Sequence, residues 1–156
     1  MATSTLVQFL GDGITSPTGA GADTSNRRQV ETFISSAAIA AGDVVMLDTL
    51  KTGADRVLYI KQASAVATGN PLAIGVALNA AAAAGEQVRV VVAGYVEGVN
   101  CSAAGATAAG KPLVAGTVAG EVEEANTTDT SGLFGVALEP FGGATNSVAI
   151  HIFKRF

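Results

Sequence analysis

An eight-residue block, Pro71-Leu72-Ala73-Ile74-Gly75-Val76-Ala77-Leu78, returns as Ser131-Gly132-Leu133-Phe134-Gly135-Val136-Ala137-Leu138, with Gly-Val-Ala-Leu intact and an apolar residue before the glycine. Each copy leads through a small-residue turn into an alternating β-type run. The first run is Val88-Arg89-Val90-Val91-Val92 and the second extends from Ser147 to Phe153. A block, a turn and a strand written twice constrain the fold strongly, because a repeated unit that cannot bury its apolar face alone must pack against its copy. The repetition extends upstream, where Ile39-Ala40-Ala41-Gly42-Asp43-Val44-Val45-Met46 parallels Thr107-Ala108-Ala109-Gly110-Lys111-Pro112-Leu113-Val114. Gly110 follows Gly42 by 68 residues and Gly135 follows Gly75 by 60, so the second copy is eight residues shorter between these anchors.

The elements around the block read as short strands. Val30, Thr32 and Ile34 alternate with Gln29, Glu31 and Phe33 and predict a first strand. Asp43–Leu47 is a β-branched run, and Arg56–Lys61 is a second one, joined to it by a turn containing Gly53, so the two form a hairpin. Gly75 sits where a close backbone approach or a bulge is expected. Asn79–Gly85 holds five alanines, good helix formers, but is too short for more than one turn and reads as a connection. Glu86–Val96 is the longest clean alternation, and Gly94 and Gly98 mark where the chain is expected to turn. Gly116–Glu123 parallels the first hairpin. These elements predict an all-β fold, a small internally duplicated β-barrel or sandwich, with halves at about 37–98 and 105–156 within one domain spanning 31–156.

Residues 1–30 differ from the rest. Gly11, Gly13, Gly19, Gly21 and Pro17 lie among Ser, Thr, Asp and Asn with no sustained period, the pattern of an extended N-terminal arm. Leu6, Val7, Phe9 and Leu10 form an apolar patch on that tether, and Arg27 and Arg28 stand at its root. These six are the candidate protein-interaction residues. The patch is suited to fold back on its own core or to dock on a neighbouring subunit, and docking on another chain is the preferred expectation because long structureless arms inside compact domains are uncommon.

Charged residues make up 14% of the chain, well below the usual quarter, so little of the surface is strongly hydrated. Either much of it lies against other protein, or the chain is simply a compact Ala/Gly-rich domain. A net charge of -4 with scattered basic residues argues against nucleic acid, which needs clustered Lys and Arg. One cysteine, Cys101, excludes an internal disulfide. The N-terminus carries neither a basic n-region nor a continuous apolar stretch, so no signal peptide is expected. The apolar stretch 63–84 is interrupted by Asn70, Pro71 and Asn79, so no membrane span is expected either.

Candidate chemistry is sparse. His151, the single histidine, sits in the last strand opposite Val148, Ile150 and Ile152 and reads as a surface or interface residue. Cys101 would need that histidine beside it to act as a nucleophile. Glu121 and Glu123 would share a strand face as an acid–base or cation-binding pair, but with Glu124 they fit better as charges on an edge strand. Gly11-Asp12-Gly13 opens like a calcium loop without the rest of the ligand pattern. The expectation is no catalytic residue, no metal site, no cofactor and no enzymatic activity.

Four segments together carry a family resemblance. They are Ala-Ala-Gly-Asp-Val-Val at 40–45, Ile-Gly-Val-Ala-Leu at 74–78, Ala-Ala-Ala-Gly-Glu-Gln-Val-Arg-Val at 82–90, and the second Gly-Val-Ala-Leu at 135–138. The chain resembles the small capsid decoration (cement) proteins of tailed bacteriophages, in particular the β-barrel type with a duplicated Gly-Val-Ala-Leu pattern, over about residues 37–153. The resemblance implies a structural virion protein, made in the host cytoplasm and added to the capsid outer surface as a homotrimer. There it would bind the major capsid protein and cement neighbouring subunits against the internal pressure of packaged DNA. Another virion part (a head fibre base, a neck or tail component) and a ligand-binding β-barrel are the alternatives.

Overall fold

The structure, a computed structural model, describes residues 28–64, 70–102, 106–126, 132–142 and 146–153. The first five strands are β1 (Gln29–Ser35), β2 (Val44–Leu47), β3 (Tyr59–Gln62), β4 (Ala73–Ala77) and β5 (Gln87–Asn100). β2 pairs antiparallel with β3 and β4, and β4 with β5. β1 then closes the ring, running antiparallel to β5 and parallel to β3. A closed five-stranded barrel results, and closure leaves none of its strands with a free edge. Phe33, Val45, Ile60, Ile74, Val88, Val90 and Val92, drawn from all five strands, pack together as one buried cluster. The fold is the all-β barrel that the alternating runs imply, and the barrel proper is smaller than the chain, because the first half closes by itself.

The remaining strands are β6 (Ala106–Thr107), β7 (Pro112–Ala115), β8 (Val122–Glu124), β9 (Gly135–Ala137), β10 (Phe141–Gly142) and β11 (Ser147–Ile152). They repeat the first set in order. β8–β7–β9–β11 follows β3–β2–β4–β5, and β11 pairs with the far end of β5. The registers agree residue by residue. Val45 faces Gly75 as Leu113 faces Gly135, and Ala77 faces Val90 as Ala137 faces Ile150. The Ile39–Ala81 bridge recurs as the Thr107–Phe141 pair of β6 and β10. Backbone bonds recur too, with Gly42 N–H donating to Ala77 O and Gly110 N–H to Ala137 O, both at 2.8 Å. Where β1 lies parallel to β3 in the first half, the second half has one parallel bridge from Cys101 to Val122, with Ser102 N–H donating to Val122 O at 2.9 Å.

The eight missing residues can be placed from the same registers. β3 and β8 correspond with an offset of 62 (Ile60 with Val122), against 68 for β2 with β7 and 60 for β4 with β9. Six residues are therefore lost from the hairpin loop and two between the next strands. In the first copy the longer loop winds into a single 3-10 turn over Gly53–Val57. This differs from the strand expected over 56–61, which begins only at Tyr59. Val57 is 62% exposed, so no burial holds it in an extended ladder, while Leu58 N–H closes the turn on Asp55 O at 3.0 Å.

β5 also runs further than its alternation implies. Gly94 and Gly98 adopt φ of 93° and 68°, which kink the strand without ending it. The register against β11 shifts by one residue between Val96 and Val99, a β-bulge at Gly98. One strand therefore serves both halves: residues 87–93 complete the barrel and 94–100 start the second sheet. The second-half cluster (Val99, Leu113, Val122, Phe134, Ala137, Val148, Ile150 and Ile152) is continuous with Val44, Val76 and Val91 on the outer side of the barrel.

Candidate protein-binding surfaces

The residues suited to catalysis are kept apart. His151 pairs with Tyr95 near one end of the shared stretch of β5, and Ser147 pairs with Asn100 at the other, next to Cys101. Six strand positions separate Tyr95 from Cys101, roughly 20 Å at the rise of a strand. Cys101 is 3% exposed. Burial, then the charges of Glu121 and Glu139, pushes its thiol above the ordinary value, the reverse of an activated nucleophile.

The three glutamates have separate duties. Glu123 accepts from Thr117 N–H at 3.1 Å and its hydroxyl at 3.3 Å, tying down the β7–β8 turn. Glu124 receives Lys111 Nζ at 2.7 Å, and that hydrogen bond holds its carboxyl below the usual range. Glu121 lines a cleft of about 310 Å3 with Asp43, Asn100, Cys101, Ala119 and Asn146. Among the described residues, no three His, Cys, Asp or Glu side chains form a metal-binding set. No helix among them is long and apolar enough to cross a membrane.

The polar centre of the molecule is Asp43, in sequence only the first residue of the β-branched run Asp43–Leu47. It is 4% exposed and ties together three parts of the chain. Oδ2 accepts from Ala40 N–H and Gln62 Nε2, both at 2.7 Å, and Oδ1 accepts from Asn100 Nδ2 at 2.9 Å. Asn100 N–H donates in turn to Gly42 O at 2.9 Å. A buried carboxylate with this many donors is a joint between the halves. Its only sequence signal is that the first copy has Asp43 where the second has Lys111.

Among the described residues, two apolar surfaces stand open. One surrounds the 3-10 turn, where Leu50 is 82% exposed and Val57, Leu58 and Leu72 are also uncovered. A groove of about 200 Å3 runs beside it between Glu31, Phe33, Leu47, Val57 and Ile74. The other lies on the outer side of the second half, where Pro112, Val136, His151 and Tyr95 form one lateral row across four strands. Val136, His151 and Tyr95 are half-buried and Pro112 is exposed. The Phe153 ring meets the His151 ring edge-on at 6.2 Å. The Tyr95 hydroxyl is hydrogen-bonded to Glu97, which pushes its pKa up to about 12.

Of the six interaction residues expected from sequence, Arg28 is half-buried just before β1. Leu6, Val7, Phe9, Leu10 and Arg27 lie outside the described residues. Neither open surface was legible beforehand, because exposure depends on which residues distant in the chain come to pack together.

Residues 24–152 match the family model of phage cement proteins. The chain belongs to the phage cement protein family. As a member it is a capsid-associated structural protein of the virion, built as a β-barrel. Its fold is also similar to a solved structure described as the head fiber gp8.5 N base in bacteriophage phi29. That match has a TM-score of 0.55 and 19% identity, and covers 81% of this chain and 95% of the other. No curated protein matches the chain.

Proposed function

We propose that this cement-family protein binds the outer surface of the phage head and clamps neighbouring major capsid subunits, as a homotrimer and without catalytic activity. The observation that carries the reading is the family match over nearly the whole described chain. The exposed Leu50, Val57, Leu58 and Leu72 supply an apolar area of the kind that marks a protein contact. Leu6, Val7, Phe9, Leu10, Arg27 and Arg28 are proposed as further protein-contact residues, on an arm that precedes a single domain and packs on a surface of this chain or of a neighbour. A trimer engaging several subunits gains avidity through effective concentration, so weak individual contacts suffice. Binding the assembled lattice and not its dissociated parts then stabilises the head by linkage.

The test is direct. Heads lacking this protein are mixed with the purified chain, pelleted and heated while DNA release is followed. Saturable binding with a raised release temperature is expected, and sedimentation should show a trimer. Unchanged release with no co-pelleting would overturn the reading. A head fibre base is the second reading, favoured by the fold likeness to the phi29 fibre base. It predicts attachment at few positions on the head, which cryo-EM of decorated heads distinguishes from a regular lattice of densities.

A further inference from the structure

We propose that the open outer row of the second half, Val136, His151 and Tyr95 with Phe153, is the seat of the chain's own N-terminal apolar segment, Leu6–Leu10. The internal repeat supplies the first reason. In the first half the equivalent rung is Val44–Val76–Val91, and all three residues are fully buried. They belong to the same packed cluster as Val96, Leu113 and Ile150, so the second half is what covers them. In the second half the same rung is Pro112–Val136–His151, built on the same register, and no described segment covers it. The side chains there are larger where the first half has small ones. Leu133 replaces Ala73 and Phe153 replaces Ala93, and these two are 39% and 45% exposed. An apolar packing face is thus present twice and covered once.

The second reason is where the undescribed chain begins. Gln29, the first residue of β1, pairs with Ala93, and Ile152, the last of β11, pairs with Gly94. Arg28, where the described chain begins, therefore lies near Phe153, within three strand pairings (β1–β5, β5–β11 and β11–β9), roughly 15 Å, of Val136. Leu10 precedes Arg28 by 18 residues rich in Gly, Ser and Thr. A linker of that composition spans about 23 Å on average, so the seat lies well within reach without stretching. Tethering at this range raises the local concentration of the segment to the millimolar scale, which favours the chain's own segment over another copy's. The segment is uncharged over Leu6–Leu10 and carries two leucines, a valine and a phenylalanine, matched to an aromatic and aliphatic seat. Each apolar surface then covers the other. The inference is independent of head binding.

His151, the single histidine, reports on the seat through one set of ring signals in proton NMR of the untagged full chain. A nitroxide placed through Gln8→Cys, with Cys101 buried, should erase the His151 ring signal while leaving that of Tyr59 on β3. Reducing the nitroxide should restore the signal. Adding Phe9→Ser to the labelled chain, or Val136→Glu in the seat, should likewise return it. A His151 signal that survives the label overturns the proposal. So does a signal that is lost only when spin-labelled chains are mixed with unlabelled ones, which would assign the seat to a second copy's segment.

Discussion

The two halves share strand order, register and turn hydrogen bonds, yet they differ in what lies on their outer faces. The first half is a closed barrel whose outer valines are covered by the second half, and its joint is sealed by Asp43. The second half borrows its starting strand from the end of β5, closes on one parallel bridge, and leaves its outer rung open. Equal backbones with unequal neighbours show that a repeat sets topology while packing context decides which copy becomes core. Substitutions at equivalent positions should therefore have unequal effects.

The largest contrast is expected at the repeated glycine. A Cβ on Gly75 would meet Val91 O at 2.0 Å, whereas on Gly135 it would meet His151 O at 2.7 Å. Gly75→Ala should cost about 3 kcal/mol or prevent folding, and Gly135→Ala about 1 to 2 kcal/mol. Urea unfolding measures both, and equal losses would break the comparison. Next is the joint. Asp43→Ala leaves Gln62, Asn100 and the Ala40 N–H without their acceptor, an expected loss of about 2 to 3 kcal/mol. Its counterpart Lys111 makes only an exposed pair with Glu124, so Lys111→Ala should cost at most about 0.5 kcal/mol. Third, Val76→Ala should cost about 2 kcal/mol because the side chain is fully buried, and the half-exposed Val136 should lose less than half of that in the same assay.

The smallest effect concerns pH and belongs to the first half alone. Burial works to raise the Asp48 carboxyl, but the nearby Ser36 hydroxyl, the Leu50 N–H donating at 3.2 Å and the Lys61 ammonium at 3.3 Å outweigh it and hold the pKa below its ordinary value. A group whose folded pKa is depressed stabilises the fold above its unfolded value, near 4, and loses that contribution as pH falls through the folded value. The second half has Gly116 and Glu123 where the first has Asp48 and Lys61, so it lacks this pair. Asp48→Asn should cost about 1 kcal/mol at pH 7 and flatten the loss of stability below pH 4. Thermal melts across that range check it, and an unchanged acid limb would remove Asp48 from the comparison.

Much of the architecture was legible because β-structure writes itself locally. Alternation at Val88, Val90 and Val92, the glycine in each Gly-Val-Ala-Leu and the 68 and 60 offsets all survive as registers and close approaches. The expected strand over 56–61 gave way to a 3-10 turn because the loop was long enough to wind and nothing buried Val57. Gly94 and Gly98 looked like chain reversals and instead kink a strand that continues, Gly98 at the β-bulge against β11, since a glycine at positive φ serves either purpose and only the long-range pairing selects one. Candidate sites were least legible. Asp43 resembles any strand-edge aspartate until Gln62 and Asn100, 19 and 57 residues away, converge on it.

The sequence alone determined that the protein is β-built, duplicated and of the cement type, because period, glycine placement and repeated motifs are local properties that each half carries in full. Only the tertiary structure decided that β5 is shared, that the first half closes into the barrel and that the second covers its valines. Those outcomes depend on contacts between residues far apart in the chain. Identical local patterns leave open which copy is covered, and the packing of one half on the other resolves it.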